Sequence, residues 1–119
     1  MSQATILVVD DERVIRSLIC DVLRDAGYRT IAADNGATAT EVTDSEHPDL
    51  IVLDLQMPVM DGWTFCRQFR TNGHATPVVI VSAHGATRAQ RELQAAGAVE
   101  KPFDPDHLLK VVHSLVPAR

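Results

Sequence analysis

An α/β fold on a parallel β-sheet is what this sequence predicts, and three observations predict it. Short apolar runs alternate with helix-length segments along the 119 residues. The runs are apolar on consecutive residues rather than on alternate ones, as in strands covered on both faces. Helix start and stop residues, among them Gly27, Asn35 and the pair Asp104-Pro105, stand at the junctions between the two kinds of segment.

Taken in order, the strands read as Ala4 to Val9, Thr30 to Ala33, Leu50 to Leu53, Val78 to Val81 and a brief run near Ala98 and Val99. The first helix spans Glu12 to Ala26, with Val14, Ile15, Leu18, Ile19, Val22 and Leu23 at helical spacing and Gly27 placed to end it. A second, Thr-rich and weakly amphipathic, opens after Asn35 as N-cap. A third follows Asp61 with Phe65, Cys66 and Phe69 on one face, and a fourth runs from about Ala86 to Ala96 with Gly97 stopping it. The last opens at Asp104 as N-cap with Pro105 at its first position, and Leu108, Leu109, Val112 and Leu115 form its buried stripe. Strand and helix in alternation imply right-handed crossovers, hence a parallel sheet with helices on both faces.

Composition narrows the function. A 45% hydrophobic content over this length is enough for one domain with a real core. The net charge of −5, from 16 acids against 11 bases with no run of Lys or Arg, argues against direct contact with nucleic acid. Cys20 and Cys66 lie far apart inside helical patterns, which fits buried thiols rather than a redox or zinc motif. The N-terminus carries no targeting signal and no apolar stretch is long enough to cross a bilayer, so the expected location is the cytoplasm.

Ligands of such sheets bind outside the carboxyl ends of the strands. Asp10 and Asp11 follow the first strand, Asp54 ends the third, Ser82 ends the fourth and Lys101 the fifth. Any one of these could be a cap, a turn residue or a surface group; together they form a candidate site at one edge. Three clustered carboxylates repel one another, and a hard divalent cation relieves the repulsion. Mg2+ suits because it takes one or two carboxylates and leaves room for phosphate oxygens. Beside it Asp54 can act as a nucleophile that accepts a phosphoryl group, with Lys101 holding that group as a point charge and Ser82 hydrogen-bonding one of its oxygens.

The stretches ILVVDDE, DLIVLDLQMPVMDG, PVVIVSA and KPF, in this order and over essentially the whole chain, resemble the receiver domain of two-component response regulators. The resemblance implies a flavodoxin-like, doubly wound sheet with strand order 2-1-3-4-5 in a single domain over residues 1–119. It implies a phosphoacceptor at Asp54, served by a histidine kinase or phosphotransfer protein. It further implies Mg2+ held by Asp10, Asp11, Asp54 and the backbone carbonyl of Gln56, a cis Lys101-Pro102 bond, and a switch in which Ser82 moves toward the phosphate. An aromatic residue is expected three positions before the lysine, but Ala98 stands there, and between GA and KPF only Val99 and Glu100 remain, fewer residues than the family usually has. The fifth strand should be short, and the aromatic half of the switch is missing or rebuilt.

Ala83 should leave the site open to a donor, and Gln56 and His84 stand where side chains shape access of the hydrolytic water, although His84 is equally readable as solvated and inert. His47, His74, His107 and His113 lack ligand spacing and read as surface residues; Met57 and Met60 read as loop packing, and Trp63 as a reporter close to the site. The chain stops at VPAR, just past the last helix, so output is expected through a downstream protein effector, with Arg88, Arg91, Lys110 and His113 exposed on the fourth and fifth helices. On this reading the protein is a signalling phosphoacceptor rather than an enzyme. The alternatives are a non-phosphorylated pseudo-receiver serving as an interaction module and an aspartate-nucleophile phosphohydrolase. The second is disfavoured because Gln56 stands where that chemistry places a second acid.

Overall fold

The computed structural model describes residues 3–57 and 59–117; Pro58 and the Ala118-Arg119 end of VPAR lie outside the described residues. Ten elements alternate: β1 (Thr5–Val9), α1 (Arg13–Asp25), β2 (Arg29–Ala33), α2 (Gly36–Glu46), β3 (Leu50–Asp54), α3 (Gly62–Thr71), β4 (Val78–Ser82), α4 (Ala86–Leu93), β5 (Gly97–Glu100) and α5 (Pro105–Leu115). All strands pair in parallel in the order β2-β1-β3-β4-β5, as expected for the flavodoxin-like arrangement. The chain moves outward from β1 in one direction and then the other. This reversal puts the carboxyl ends of β1 and β3 side by side, the crevice position of such sheets.

Every residue of β1, β3 and β4 is buried, which is why these strands read as unbroken apolar runs. Successive side chains still alternate between the faces. Ile6, Val8, Leu50, Val52, Val79 and Val81 pack with Ile19 and Leu23 of α1 and Leu108 and Val112 of α5. Leu7, Val9, Ile51, Leu53, Val78 and Ile80 pack with Ala39 of α2, Phe65, Cys66 and Phe69 of α3, and Ala86, Ala89 and Leu93 of α4. Edge strand β2 is more open, and β5 has four residues, short as expected. Cys20 and Cys66 are free and buried, and burial pushes both thiols above their ordinary pKa.

Asn35, Asp61 and Asp104 cap α2, α3 and α5 by accepting the backbone N–H of Thr38, Thr64 and Asp106. Gly27, with φ of 100°, follows the end of α1 as its position implies.

Two expectations need correction, the end of α4 and the surface placement of His74. Helix α4 stops at Leu93, where Gln94 takes a left-handed conformation and its N–H returns to the Arg91 and Gln90 carbonyls, so Gly97 opens β5 instead of ending the helix. That glycine is needed because a Cβ would lie 2.8 Å from Cγ1 of Val111 on α5. On α1, Val14 (78% exposed) and Leu18 (40%) lie outside the buried stripe of Ile19, Cys20 and Leu23. Six apolar residues span too wide an arc of the helix for all of them to face the sheet. His74 is half-buried, its ring stacked 4.4 Å from that of Phe69, rather than a free surface residue.

Candidate functional site

The site grows from the ends of β1 and β3. Asp10 continues the β1–β2 pairing through its N–H to the Ala33 carbonyl (3.1 Å), so its backbone is fixed as firmly as the strand. Its Oδ1 accepts the Glu12 N–H at 2.9 Å, and its carbonyl accepts Nη1 of Arg16 at 2.9 Å. Asp54 closes β3 and is 4% exposed, with the Gln56 N–H, 3.3 Å from its Oδ1, as its one directed donor among the described residues. The β3–α3 loop returns tightly onto this strand end: the Gly62 N–H donates to the Leu55 carbonyl at 3.0 Å. A Cβ on Gly62 would lie 2.3 Å from the Asp54 carbonyl oxygen, so this close return requires glycine.

Oxygens of Asp10, Asp11 and Asp54 lie within 4.8 Å of one another, with Asp11 exposed and the other two buried. Lys101, immediately after β5, reaches into the cluster: its Nζ is 2.9 Å from Asp10 Oδ2, 3.5 Å from Glu12 Oε1 and 3.7 Å from Asp54 Oδ2. Asp10 Oδ2 is buried with this charge contact but no well-formed hydrogen bond. Burial, followed by repulsion from Asp10, raises the Asp54 carboxyl from its ordinary 3.8 to about 6, against the pull of Lys101 and the Gln56 N–H. Burial lowers the Lys101 amine, but Asp10, Asp54 and Glu12 more than compensate and leave it above its ordinary value.

One lysine facing three acids leaves the cluster short of positive charge. A buried carboxylate oxygen without a directed donor, among three hard oxygen ligands, is what a small divalent cation would satisfy. The residues fit Mg2+.

Ser82 is fully buried at the end of β4, on the same edge, and the Lys101 N–H donates to its carbonyl at 2.9 Å. Its hydroxyl, however, turns back on its own loop, donating to the His84 carbonyl (3.0 Å) and accepting the His84 N–H (3.4 Å). The side chains of Gln56, Ala83 and His84 are exposed around this edge. Ala98 is half-buried on β5 opposite Ile80, against the α4 side of the core. The Lys101-Pro102 peptide is cis, as the family resemblance implied.

Sequence reasoning missed two contacts: Glu12 on Lys101, and Arg16 on the Asp10 carbonyl. The run Asp10-Asp11-Glu12 is visibly acidic, but nothing in it shows that Glu12 folds toward a lysine 89 residues away.

A model of the response regulator receiver domain matches residues 6–113. The chain is 34% identical over 122 residues to sporulation initiation phosphotransferase F of Bacillus subtilis, covering all of this chain and 98% of that protein. It is also 34% identical to regulatory protein AtoC of Escherichia coli, where the match covers 90% of this chain but 24% of the relative. The solved structure of chemotaxis protein CheY4 of Vibrio cholerae superposes with a TM-score of 0.88 at 30% identity, over 97% of this chain and 100% of that one. The chain belongs to the response regulator receiver domain family.

Proposed function

We propose that this receiver domain takes a phosphoryl group from a phosphohistidine of a histidine kinase or phosphotransfer protein onto Asp54, in a Mg2+-dependent step of a two-component phosphorelay. The observation that carries the reading is Asp54 at the end of β3, with oxygens of Asp10 and Asp11 within 4.8 Å and Lys101 at 3.7 Å. A carboxylate oxygen of Asp54 attacks the phosphorus, the N–P bond breaks, and the donor imidazole leaves with the electron pair and takes up a proton. The product is an acyl phosphate on Asp54.

Asp10, Asp11, Asp54 and the Gln56 carbonyl would hold Mg2+, which when bound supplies neutralisation of the phosphoryl oxygens. Lys101 leaves its contact with Asp10 to meet the new negative charge. Ser82 exchanges the His84 carbonyl for a phosphoryl oxygen, so the β4–α4 loop is the first segment to feel phosphorylation. With Ala98 in place of an aromatic, the signal passes from that loop to α4 directly. Gln56 and His84 line the approach of the hydrolytic water and tune the lifetime of the phosphoryl group, and Ala83 leaves that approach open to the donor.

Output is read by a downstream protein on the α4 and α5 faces, where Arg88, Arg91, Lys110 and His113 are exposed. Phosphorylation adds nearly two negative charges and shifts the population of packings on this face. The protein works as one receiver unit over residues 1–119, as a cytoplasmic signalling phosphoacceptor rather than an enzyme, without direct contact with nucleic acid. No described helix is long and apolar enough to cross a membrane.

The test is mass spectrometry after incubation with acetyl phosphate and Mg2+, in parallel with Asp54→Ala and with a chelator. A single phosphate adduct that needs both Asp54 and Mg2+ is the expected result. No adduct, together with no Mg2+ binding, would instead establish a pseudo-receiver that works by docking alone.

A further inference from the structure

The loop that carries two of the three site acids is short, and the helix it feeds lacks the usual fastening. Asp10, Asp11 and Glu12 are all that separate β1 from α1. Helices α2, α3 and α5 are each tied to their preceding loop by a side-chain cap, whereas Glu12, the N-cap of α1, makes no such bond and its carboxylate is 3.5 Å from Lys101. The first turn of α1 carries no acid either.

Arg16 supplies the missing tie. Its backbone N–H donates to the Glu12 carbonyl at 2.9 Å, and its guanidinium Nη1 donates to the Asp10 carbonyl at 2.9 Å. The backbone bond is the helix's own first turn; the guanidinium bond is specific to the arginine and ties that turn back to Asp10, with Asp11 between the two anchored carbonyls. With the Asp10 N–H on Ala33 and Oδ1 on the Glu12 N–H, this leaves Oδ2 with the Lys101 ammonium at 2.9 Å as its contact among the described residues. That oxygen belongs to the acid cluster.

We propose that Arg16 is a positioning residue for the cation site: by holding the Asp10 carbonyl it fixes the loop conformation in which Asp10 and Asp11 face Asp54. The inference rests on the Mg2+-binding reading above. Its sign makes it testable, because a guanidinium near a cation site has two opposite effects. As a charge alone it repels the cation, so its removal should tighten binding. As a clamp it organises the ligands, and removal should loosen binding, as loss of the groups that orient metal ligands does.

The experiment is calorimetric titration of Mg2+ into the wild-type chain, Arg16→Met, Arg16→Lys and Arg13→Met. Arg13 is exposed on the same first turn and makes no side-chain hydrogen bond or ion pair among the described residues, so Arg13→Met removes a charge without removing a clamp. Arg16→Met is expected to weaken Mg2+ binding by about tenfold. Arg16→Lys, which keeps a donor, should recover part of the loss, and Arg13→Met should bind as well as wild type or slightly better. Urea unfolding of each variant separates loop geometry from global stability, since Arg16→Lys is read under conditions where it is fully folded. Equal or tighter binding by Arg16→Met, or an equal loss in Arg13→Met, overturns the proposal. Absence of Mg2+ binding in the wild type overturns the cation reading itself, and the clamp with it.

Discussion

The middle of the sheet and its carboxyl edge are made by the same strands and obey opposite rules. In the middle, β1, β3 and β4 bury their apolar side chains in two layers. At the edge, with Asp10 just past β1 and Asp54 as the last residue of β3, the two acids are buried as completely but crowded against like charge, and the Lys101 ammonium is the contact of Asp10 Oδ2 among the described residues. The first region lowers the free energy of the fold, and the second raises it. The contrast shows that the core pays for the site.

The largest expected effect tests the middle. Ile80→Ala removes a fully buried side chain of β4 and should cost about 2–5 kcal/mol in urea unfolding, while a folded sample still takes phosphate at Asp54. Next comes the seam between the regions: Gly62→Ala places a methyl against the Asp54 carbonyl and should cost about 3 kcal/mol, with weakened Mg2+ binding because the β3–α3 loop must shift.

At the edge the sign reverses. Asp54→Asn removes a buried, repelled carboxylate and should stabilise the metal-free protein by about 1–3 kcal/mol at pH 7. The folded carboxyl titrates at about 6 and the unfolded one at 3.8, so between these values the folded state binds more proton. Wild-type stability from this group therefore falls as pH rises from 3.8 to 6. The advantage of Asp54→Asn should shrink to nothing when urea midpoints are compared near pH 4; a pH-independent gain would refute the electrostatic account. The smallest effect is at the rim: Asp61→Ala loses the bond to the Thr64 N–H and should cost about 1 kcal/mol without altering phosphorylation.

The fold was largely legible because its signals are local and strong. Consecutive apolar residues in Leu50–Leu53 and Val78–Val81 can be satisfied only by a sheet covered on both faces, and Asp104-Pro105 announces a helix wherever it occurs. The acids and the lysine of the candidate site were legible for a related reason. A polar residue directly after such a run must sit at a strand end, and parallel strands have all their carboxyl ends on one edge. The end of α4 was less so: Gly97 is a plausible helix stop in sequence, and only its pairing with Val79 of β4 places it in β5. Val14 and Leu18 look like core residues in the helical pattern, and only the orientation of α1 on the sheet leaves them exposed.

The sequence by itself thus determined the order of strands and helices, the burial of the central strands, and the set of acids and the lysine brought to one edge. Each follows from residue types and spacings within a few positions of one another. The tertiary structure alone decided the pairing of Lys101 with Asp10 and Glu12, the turn of the Ser82 hydroxyl toward His84, and the grip of Arg16 on the Asp10 carbonyl. These depend on distances of a few ångströms between side-chain and backbone atoms, set by the packing of the whole sheet and its helices, and no local pattern encodes them.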